Sequence, residues 1–263
     1  NFHSSLNSTT FYIEMNNLNN EETIELSNPN IRLAIASAVD KEGYVNNVLQ
    51  DGSASIDGFV PAGLASNPTT GADYREDAGD LLPYDLEKAT EAWEKGLSEL
   101  GTDTIELELI TSDTEDSKRL AEYLQDQLQK NLPGLTVKLR SMPFSMKLTT
   151  VREGNYDMAV NLLIADFAGP IHYVERFDTD INRMNYSNPD VDALVDKAKA
   201  TYDDDEARWE TLVDIEKVAL GEDAALAPLY QSADSYLLNP NVKDYYKRVF
   251  GPDSYKWTWI EAK

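Results

Sequence analysis

The most constraining feature of the sequence is a strand–helix–strand pattern near its middle. Residues 104–110 (TIELELI) and 135–140 (LTVKLR) alternate apolar and polar side chains, as half-buried strands do. Between them, residues 115–131 place apolar side chains at helical spacing. Two strands joined by such a crossover helix lie parallel in one sheet, and the connection is almost always right-handed. The pattern predicts an α/β fold in which helix 115–131 packs across the sheet.

A third strand is predicted directly after this unit. Residues 156–164 (YDMAVNLLI) are nearly continuously apolar, which is typical of a strand buried on both faces and therefore central in its sheet. The strand is followed by Asp166, Phe167 and a Gly-Pro turn. Ligands of open α/β sheets bind beyond the carboxyl ends of the strands, so Asp166 is a candidate ligand contact. The residues alone leave a second interpretation open, in which Asp166 caps a short helix over residues 171–176.

The rest of the chain is predicted as further helices and two outer strands, with one long irregular segment. Apolar periodicity and capping residues, among them Asn28, Asp85 and Gly101, place the ends of several helices. Helices are predicted over residues 31–39, 41–49, 86–100, 145–154, 188–201 and 206–220, strands over 9–15 and 227–238, a loop over 16–30, a surface excursion over 50–82 and an aromatic tail from Tyr245 to Trp259.

Composition excludes several classes of protein. The chain of 263 residues carries 23 Lys and Arg against 47 Asp and Glu, a net charge of -24, so phosphate backbones and anionic lipid surfaces are repelled. With 41% hydrophobic residues it can bury a core, and no apolar run reaches the roughly 18 residues that a membrane helix needs. The sequence predicts a globular protein that binds no nucleic acid.

Residue types needed for common catalytic and cofactor sites are scarce. Cysteine is absent, which excludes disulfides, thiol nucleophiles and thiolate metal sites, and the two histidines, His3 and His172, are far apart in sequence. Glycine-rich phosphate loops and the calcium-loop spacing are also missing. We therefore expect no cofactor, no metal and no catalytic residues. Because the chain starts at Asn1 without an initiator methionine or a signal, we interpret it as a piece of a longer protein.

Seven segments, in order along nearly the whole chain, resemble motifs of one family. They are residues 29–41 (PNIRLAIASAVDK), 58–61 (GFVP), 84–89 (YDLEKA), 152–158 (REGNYDM), 165–170 (ADFAGP), 185–194 (NYSNPDVDAL) and 227–230 (APLY). The sequence is thereby similar to the oligopeptide- and dipeptide-binding solute receptors of ABC importers, the bacterial extracellular solute-binding protein family 5. The resemblance covers only the C-terminal half of a typical member.

The resemblance implies a fold and a division of the chain. The fold is an α/β lobe with a mixed sheet flanked by helices, the second lobe of a two-lobed periplasmic-binding-protein-like structure (type II, cluster C). Residues 1–16 would form a hinge-crossing strand from a missing first lobe, residues 17–229 the ligand-binding lobe, and residues 230–263 the return strand and a tail that packs on the first lobe. Without that lobe, we expect strand 9–15 and the tail to expose apolar faces and either to self-associate or to be disordered.

The resemblance also implies which residues contact a ligand. Asp166 would receive the α-ammonium group of a peptide, and the backbone of Ile164 and Ala165 would pair with the extended peptide. Further contacts are expected from Phe167, Phe144, Tyr230 and Ser232, with Gln231 beside them. Leu163 replaces a tryptophan of many members, and Val151 and Val160 replace arginines of some, which implies a more apolar pocket.

The function implied is capture of peptides outside the cytoplasmic membrane for import, without catalysis. Partners would be the peptide, the membrane permease subunits and the missing N-terminal lobe. The location would be extracellular, attached to the membrane as a lipoprotein, or periplasmic. Two alternatives remain: a receptor of the same family for a signalling peptide, nickel chelate or sugar, and an acid–base hydrolase that uses Asp166 with a second carboxylate.

Overall fold

A computed structural model of the chain describes residues 1–18 and 24–262, and a mixed sheet of six strands forms its centre. The order across the sheet is β2-β6-β1-β5-β3-β4. Strand β3 pairs in parallel with β4 and β5, whereas β1 is antiparallel to β5 and β6. The strands are β1 (Phe2–Met15), β2 (Ala54–Ser55), β3 (Ile105–Ser112), β4 (Leu135–Met142), β5 (Met158–Ile164) and β6 (Leu226–Leu237). The predicted parallel pair is confirmed.

Helices flank this sheet at nearly the predicted positions. They are α1 (Pro29–Ser37), α2 (Lys41–Gly43) with a π-helical turn (Tyr44–Leu49), α3 (Tyr74–Ala78), α4 (Leu86–Leu100), α5 (Glu115–Asn131), α6 (Phe144–Arg152), α7 (Ile171–Val174), α8 (Pro189–Ala200) and α9 (Asp205–Glu216) with a π-helical turn (Lys217–Glu222). Side chains of Asn28 and Asp85 accept from the first backbone amides of α1 and α4, and Gly101 ends α4 at φ 69°. These ends are local features, which is why sequence patterns locate them.

The core lies between the sheet and its helices. Helix α5 packs across β3 and β4 through Leu120, Leu124 and Leu128, all buried, as predicted. Trp93 on α4 is buried, and its indole N–H donates to the carbonyl of Pro133. No helix within the described ranges is long and apolar enough to span a membrane.

Strand β5 departs from the prediction in its second half. It is central, between β1 and β3, and residues 158–160 are buried. Leu162 and Ile164, however, are 44% and 55% exposed, so burial on both faces is wrong for this end of the strand. The reason is that β3 pairs with β5 only at Met158 and Ala159, so the rest of β5 extends beyond its neighbour.

The excursion over residues 50–82 is not confined to the surface. Phe59, Val60 and Tyr74 are buried, because this segment is hydrogen-bonded to the buried carboxylate of Glu216 on α9. That carboxylate accepts from the backbone amides of Phe59 and Val60 and from both terminal nitrogens of Arg75. Alternation and helical spacing reveal no such long-range anchor, so the sequence pattern indicated a loop.

The two ends of the chain differ in exposure. Within β1, residues Thr10 and Ile13 to Met15 are buried between β5 and β6, so the expectation that strand 9–15 exposes its apolar face is wrong. The tail is exposed as expected at Tyr246, Tyr255, Trp257 and Ile260, and it contains the antiparallel pair β7 (Val242–Lys243) and β8 (Trp259–Ile260). Part of the loop predicted over 16–30, residues 19–23, lies outside the described residues.

Candidate functional site

One edge of the central strand β5 is open. Residues 160–164 pair with β1 on one side, from Val160 opposite Ile13 to Ile164 opposite Thr9. On the other side the pairing with β3 stops at Ala159. Backbone groups of alternate residues in this segment therefore point to an edge with no neighbouring strand among the described residues.

Two side chains bond to carbonyls along this open edge. The ammonium nitrogen of Lys147, on α6, donates to the carbonyl oxygen of Val160 at 2.6 Å. Nε2 of His172, on α7, lies 3.1 Å from the carbonyl oxygen of Ile164 and must be its donor, since a carbonyl only accepts. Because backbone direction alternates along a strand, the N–H and C=O of Leu162 face the same edge between these two carbonyls. The arrangement leaves a short stretch of backbone available to an added strand.

Lys147 is a buried cation with an unusual set of neighbours. Its side chain is buried, and burial lowers the pKa of the ammonium group, while the charge of Glu14 acts in the opposite direction. The ring of Phe144, one turn earlier on α6, has its centroid 5.7 Å from the nitrogen. The sequence patterns did not identify Lys147 as a site residue. The only signal was a charged residue within a helix that was predicted from its apolar side chains.

Asp166 lies just past the open edge with its carboxylate in solvent. The side chain is 82% exposed, and Nε2 of the buried imidazole of His172 lies 4.0 Å from one of its carboxylate oxygens. It does not cap α7: Pro170 occupies the N-cap position and no side chain bonds there, so the capping interpretation is wrong. A free carboxylate at the end of an open strand edge can receive a cation.

The other predicted contacts fall into two groups. Ile164, Phe167 and Phe144 are exposed around the open edge, and Ala165 is buried behind it. Tyr230 and Ser232 lie on β6, on the far side of β1 from β5.

Tyr230 of the second group, and Gln231 beside it, contact other parts of the chain. The ring of Tyr230 is buried and stacks on Phe11 with centroids 4.5 Å apart. Gln231 is also buried, and its amide bonds to backbone groups of Asn7 and Ala62. In the described residues, therefore, the structure brings Asp166 together with the first group only.

A cavity of about 220 Å³ adjoins the same strand. It is lined by residues 161–163 of β5 and by residues from β1, the excursion over 50–82, α6, the segment after α7 and the start of β6. These are Tyr12, Glu14, Phe59, Leu148, Val151, Arg176, Ile181, Asn182, Arg183, Met184 and Leu226. Val151 and Leu163 line it, at two of the positions where the resemblance implied a more apolar pocket. Arg176 and Arg183 were not predicted, because no motif spacing joins them to β5.

The acidic residue of the cavity is already bonded. The carboxylate of Glu14 accepts from the hydroxyl of Tyr156 at 2.8 Å and from the amide of Asn161 at 2.6 Å. Burial, and then the charge of Glu14, raise the pKa of the phenols of Tyr156 and Tyr12 well above the ordinary value. Both phenols are therefore neutral hydrogen-bonding groups at physiological pH.

Comparisons with known proteins agree with this geometry. A profile of the bacterial extracellular solute-binding proteins, family 5 Middle, matches residues 1–185. A dipeptide-binding protein of Lactococcus lactis subsp. cremoris is 34% identical over 221 residues, which are 82% of this chain and 40% of that protein.

Two solved structures resemble the whole chain. The Listeria monocytogenes OppA bound to peptide has a TM-score of 0.86 and 38% identity, covering 100% of this chain and 50% of that one. An oligopeptide ABC transporter substrate-binding domain from Bacillus anthracis has a TM-score of 0.87 and 36% identity, covering 99% and 51%.

These matches confirm the expected fold class and set its extent. The mixed sheet flanked by helices is that of the type II periplasmic-binding fold, and the chain spans about half the length of these three relatives, or less. The profile covers more than half of this chain. The names of the relatives found by sequence and by structure refer to peptide binding or peptide transport. The chain belongs to family 5 of the bacterial extracellular solute-binding proteins.

Proposed function

We propose that the chain captures peptides outside the cytoplasmic membrane for an ABC importer and performs no reaction. The observation that carries the proposal is the open edge of β5, which runs directly into the exposed carboxylate of Asp166. A peptide that adds there as a strand gains affinity from main-chain hydrogen bonds, which are independent of its sequence. Relatives named for dipeptide and oligopeptide binding support the peptide as the ligand.

The charge at the end of the edge sets the direction of the peptide. With its α-ammonium group at Asp166, the peptide runs back along β5 toward Val160, antiparallel to the strand. Ile164 and Ala165 supply backbone contacts, and Phe167 and Phe144, exposed beside the edge, contact its side chains. Tyr230 and Ser232 remain predicted contacts, which in the two-lobed receptor would face the cleft from the crossing strand.

We further propose that this chain is one lobe of a receptor whose first lobe is encoded upstream. Support comes from the part of β1 and β6 that extends past the sheet: Phe2 pairs with Leu237, and these side chains are 65% and 83% exposed. Residues 1–16 and 230–263 then contain the crossing strands and the tail that covers the first lobe. The receptor delivers peptide to permease subunits and is either a membrane-attached lipoprotein or periplasmic; some relatives carry the word periplasmic in their names.

Calorimetry on the full-length receptor tests the proposal, using a free peptide and the same peptide N-acetylated. In the full-length receptor, where the proposed first lobe closes over the now exposed carboxylate, Asp166→Asn preserves shape but leaves a desolvated ammonium group without its counter-ion. Loss of the counter-ion from such a buried pair costs about 3–5 kcal/mol, or hundreds-fold or more in affinity. Acetylation should weaken binding by the parent protein and have little further effect on the variant. Asp203→Asn, which removes an exposed acid elsewhere, is the matched control.

Three outcomes would contradict parts of the proposal. Equal binding of free and acetylated peptide by the parent would remove the ammonium-binding role of Asp166. Absence of peptide binding would remove the receptor function. Recovery of cleaved peptide after the titration, measured by mass spectrometry, would favour the acid–base hydrolase.

A further inference from the structure

Two side chains bond to two of the three carbonyls that face the open edge of β5. Because backbone direction alternates along a strand, Val160, Leu162 and Ile164 turn their N–H and C=O groups to this edge. Lys147 donates to the carbonyl of Val160 at 2.6 Å, and Nε2 of His172 lies 3.1 Å from the carbonyl of Ile164. Leu162 therefore has the one carbonyl of the three that neither of these two side chains bonds.

The bond from Lys147 closes the edge at Val160. A carbonyl oxygen has two lone pairs, so a second donor is excluded here by space and charge and not by valence. Lys147 and Val160 are both buried, whereas Leu162 is 44% exposed. The positive charge of the ammonium group also repels the positive end of any further N–H dipole directed at the same oxygen. An added strand can therefore pair with Leu162 but not with Val160.

The other end of the edge determines which peptide residue faces Leu162. In antiparallel pairing, residues two apart on one strand bond to residues two apart on the other. With the α-ammonium group at Asp166, the first peptide residue lies opposite Ile164. The third and fifth peptide residues then lie opposite Leu162 and Val160. A strand shifted by two residues would direct the amide of its third residue at the carbonyl of Ile164, which already has His172 as its donor.

We propose that Lys147 determines specificity by ending the strand pairing between β5 and a captured peptide at the third peptide residue. The inference rests on the proposed function and adds a preference for one chemical class of peptide. The third residue must carry a backbone N–H for the carbonyl of Leu162, whereas the fifth residue can lack one. Proline has no backbone N–H, so the receptor should discriminate against proline at the third position and accept it at the fifth.

Calorimetry on the full-length receptor with three forms of penta-alanine amide tests the inference. One form is unmodified, and in the other two lactic acid replaces the third or the fifth alanine. An ester oxygen then replaces a single N–H with little change in shape. The parent protein should bind the third-residue ester about fivefold or more weakly than the unmodified peptide, as expected when one hydrogen bond is lost. It should bind the fifth-residue ester within about twofold of the unmodified peptide.

Variants of Lys147 then assign the tolerance at the fifth residue. Lys147→Ala removes the donor and the stem that covers the carbonyl of Val160, so the fifth-residue ester should now bind about threefold or more weakly than the unmodified peptide. The penalty at the third residue should stay within about twofold of its value in the parent, which also shows that the variant is folded. Lys147→Val has the same expected result and serves where the alanine variant does not fold. Lys130→Ala, exposed at the end of α5, removes the same charge elsewhere and should leave both penalties unchanged.

The outcomes distinguish this inference from the proposed function. If the parent penalises the fifth-residue ester as strongly as the third, or if the parent and the Lys147 variants tolerate it alike, the role of Lys147 is wrong and the receptor function stands. If the unmodified peptide binds but the parent penalises neither ester, the pairing with Leu162 is also wrong. If the unmodified peptide does not bind, the proposed function itself fails.

Discussion

The ammonium nitrogen of Lys147 lies 2.6 Å from the carbonyl oxygen of Val160, at the point where β5 loses its neighbour β3. The carbonyl would otherwise face an unfilled edge, and the lysine side chain takes the place of the missing strand. Its position defines one end of the backbone segment that has no neighbouring strand on that side among the described residues. The other end is the carbonyl of Ile164, bonded by His172.

Replacing Lys147 by Met should destabilise the protein. The methionine side chain keeps nearly the volume of the lysine stem, but the carbonyl of Val160 loses a charge-assisted donor, which is worth about 1.5–3 kcal/mol. This loss is partly offset because a buried cation is removed. We expect a net loss of about 1–2 kcal/mol in the free energy of unfolding, measured by urea denaturation. Lys130→Met, exposed at the end of α5, should stay within about 0.5 kcal/mol. A variant as stable as the parent would mean that solvent replaces the donor at no cost.

Glu216→Gln should be the more damaging change. Its buried carboxylate bonds Arg75 through both oxygens and accepts two backbone amides of the excursion over residues 50–82. Without the charge, the largely buried guanidinium of Arg75 has no counter-ion, and breaking such a pair costs about 3–5 kcal/mol. Glu210→Gln, exposed on the same helix α9, is the control for loss of one negative charge. The measurement is again urea denaturation, and equal effects of the two variants would contradict the anchoring role.

Stability should decrease at alkaline pH through two tyrosines, the buried Tyr44 and the partly buried Tyr123. Burial raises the pKa of Tyr44 and of Tyr123 from 10.0 to about 12, and their rings lie 5.1 Å apart. Because the folded state holds these protons more tightly, the stabilisation is fully present below about pH 10 and is lost as pH rises through about 12. The free energy of unfolding, measured between about pH 9 and 11.5, should therefore fall less steeply in the Tyr44→Phe/Tyr123→Phe variant than in the parent. Identical slopes in the two proteins would show that these phenols do not contribute to the pH dependence of stability.

The aromatic tail should make the chain associate with itself. Trp257 and Ile260 are 72% and 73% exposed in a segment that carries further exposed aromatic rings. Exposed apolar patches of this kind attract partners, so sedimentation of the chain should depend on its concentration. Trp257→Ser with Ile260→Ser should weaken association by about tenfold or more with little loss of stability, since neither side chain is buried. Tyr202→Ser, which removes a single exposed ring outside the tail, is the control; equal weakening by it would place the contact elsewhere.

Local sequence determined the elements and the class of fold. Caps such as Asn28 and Asp85, and the αL glycine Gly101, act within one helical turn, so residue type alone locates those ends. The apolar face of α5 and the alternation of β3 and β4 imply a parallel pair with a helix across it, because only that arrangement buries all three faces at once. Asp166 was identified in the same way, from its position after an apolar strand.

Tertiary structure alone decided what surrounds Asp166. Periodicity indicates which face of an element is buried but not how far it pairs with its neighbour. The end of the pairing between β3 and β5 at Ala159, and the open edge that results, could therefore not be predicted. Lys147 and His172 bond to β5 from other elements, and Arg176 and Arg183 line the cavity beside it; no local pattern encodes these positions. The sequence by itself therefore predicted a ligand site at the end of β5. Its backbone edge and its charge depend on where separate segments meet, and only the packed chain determines that.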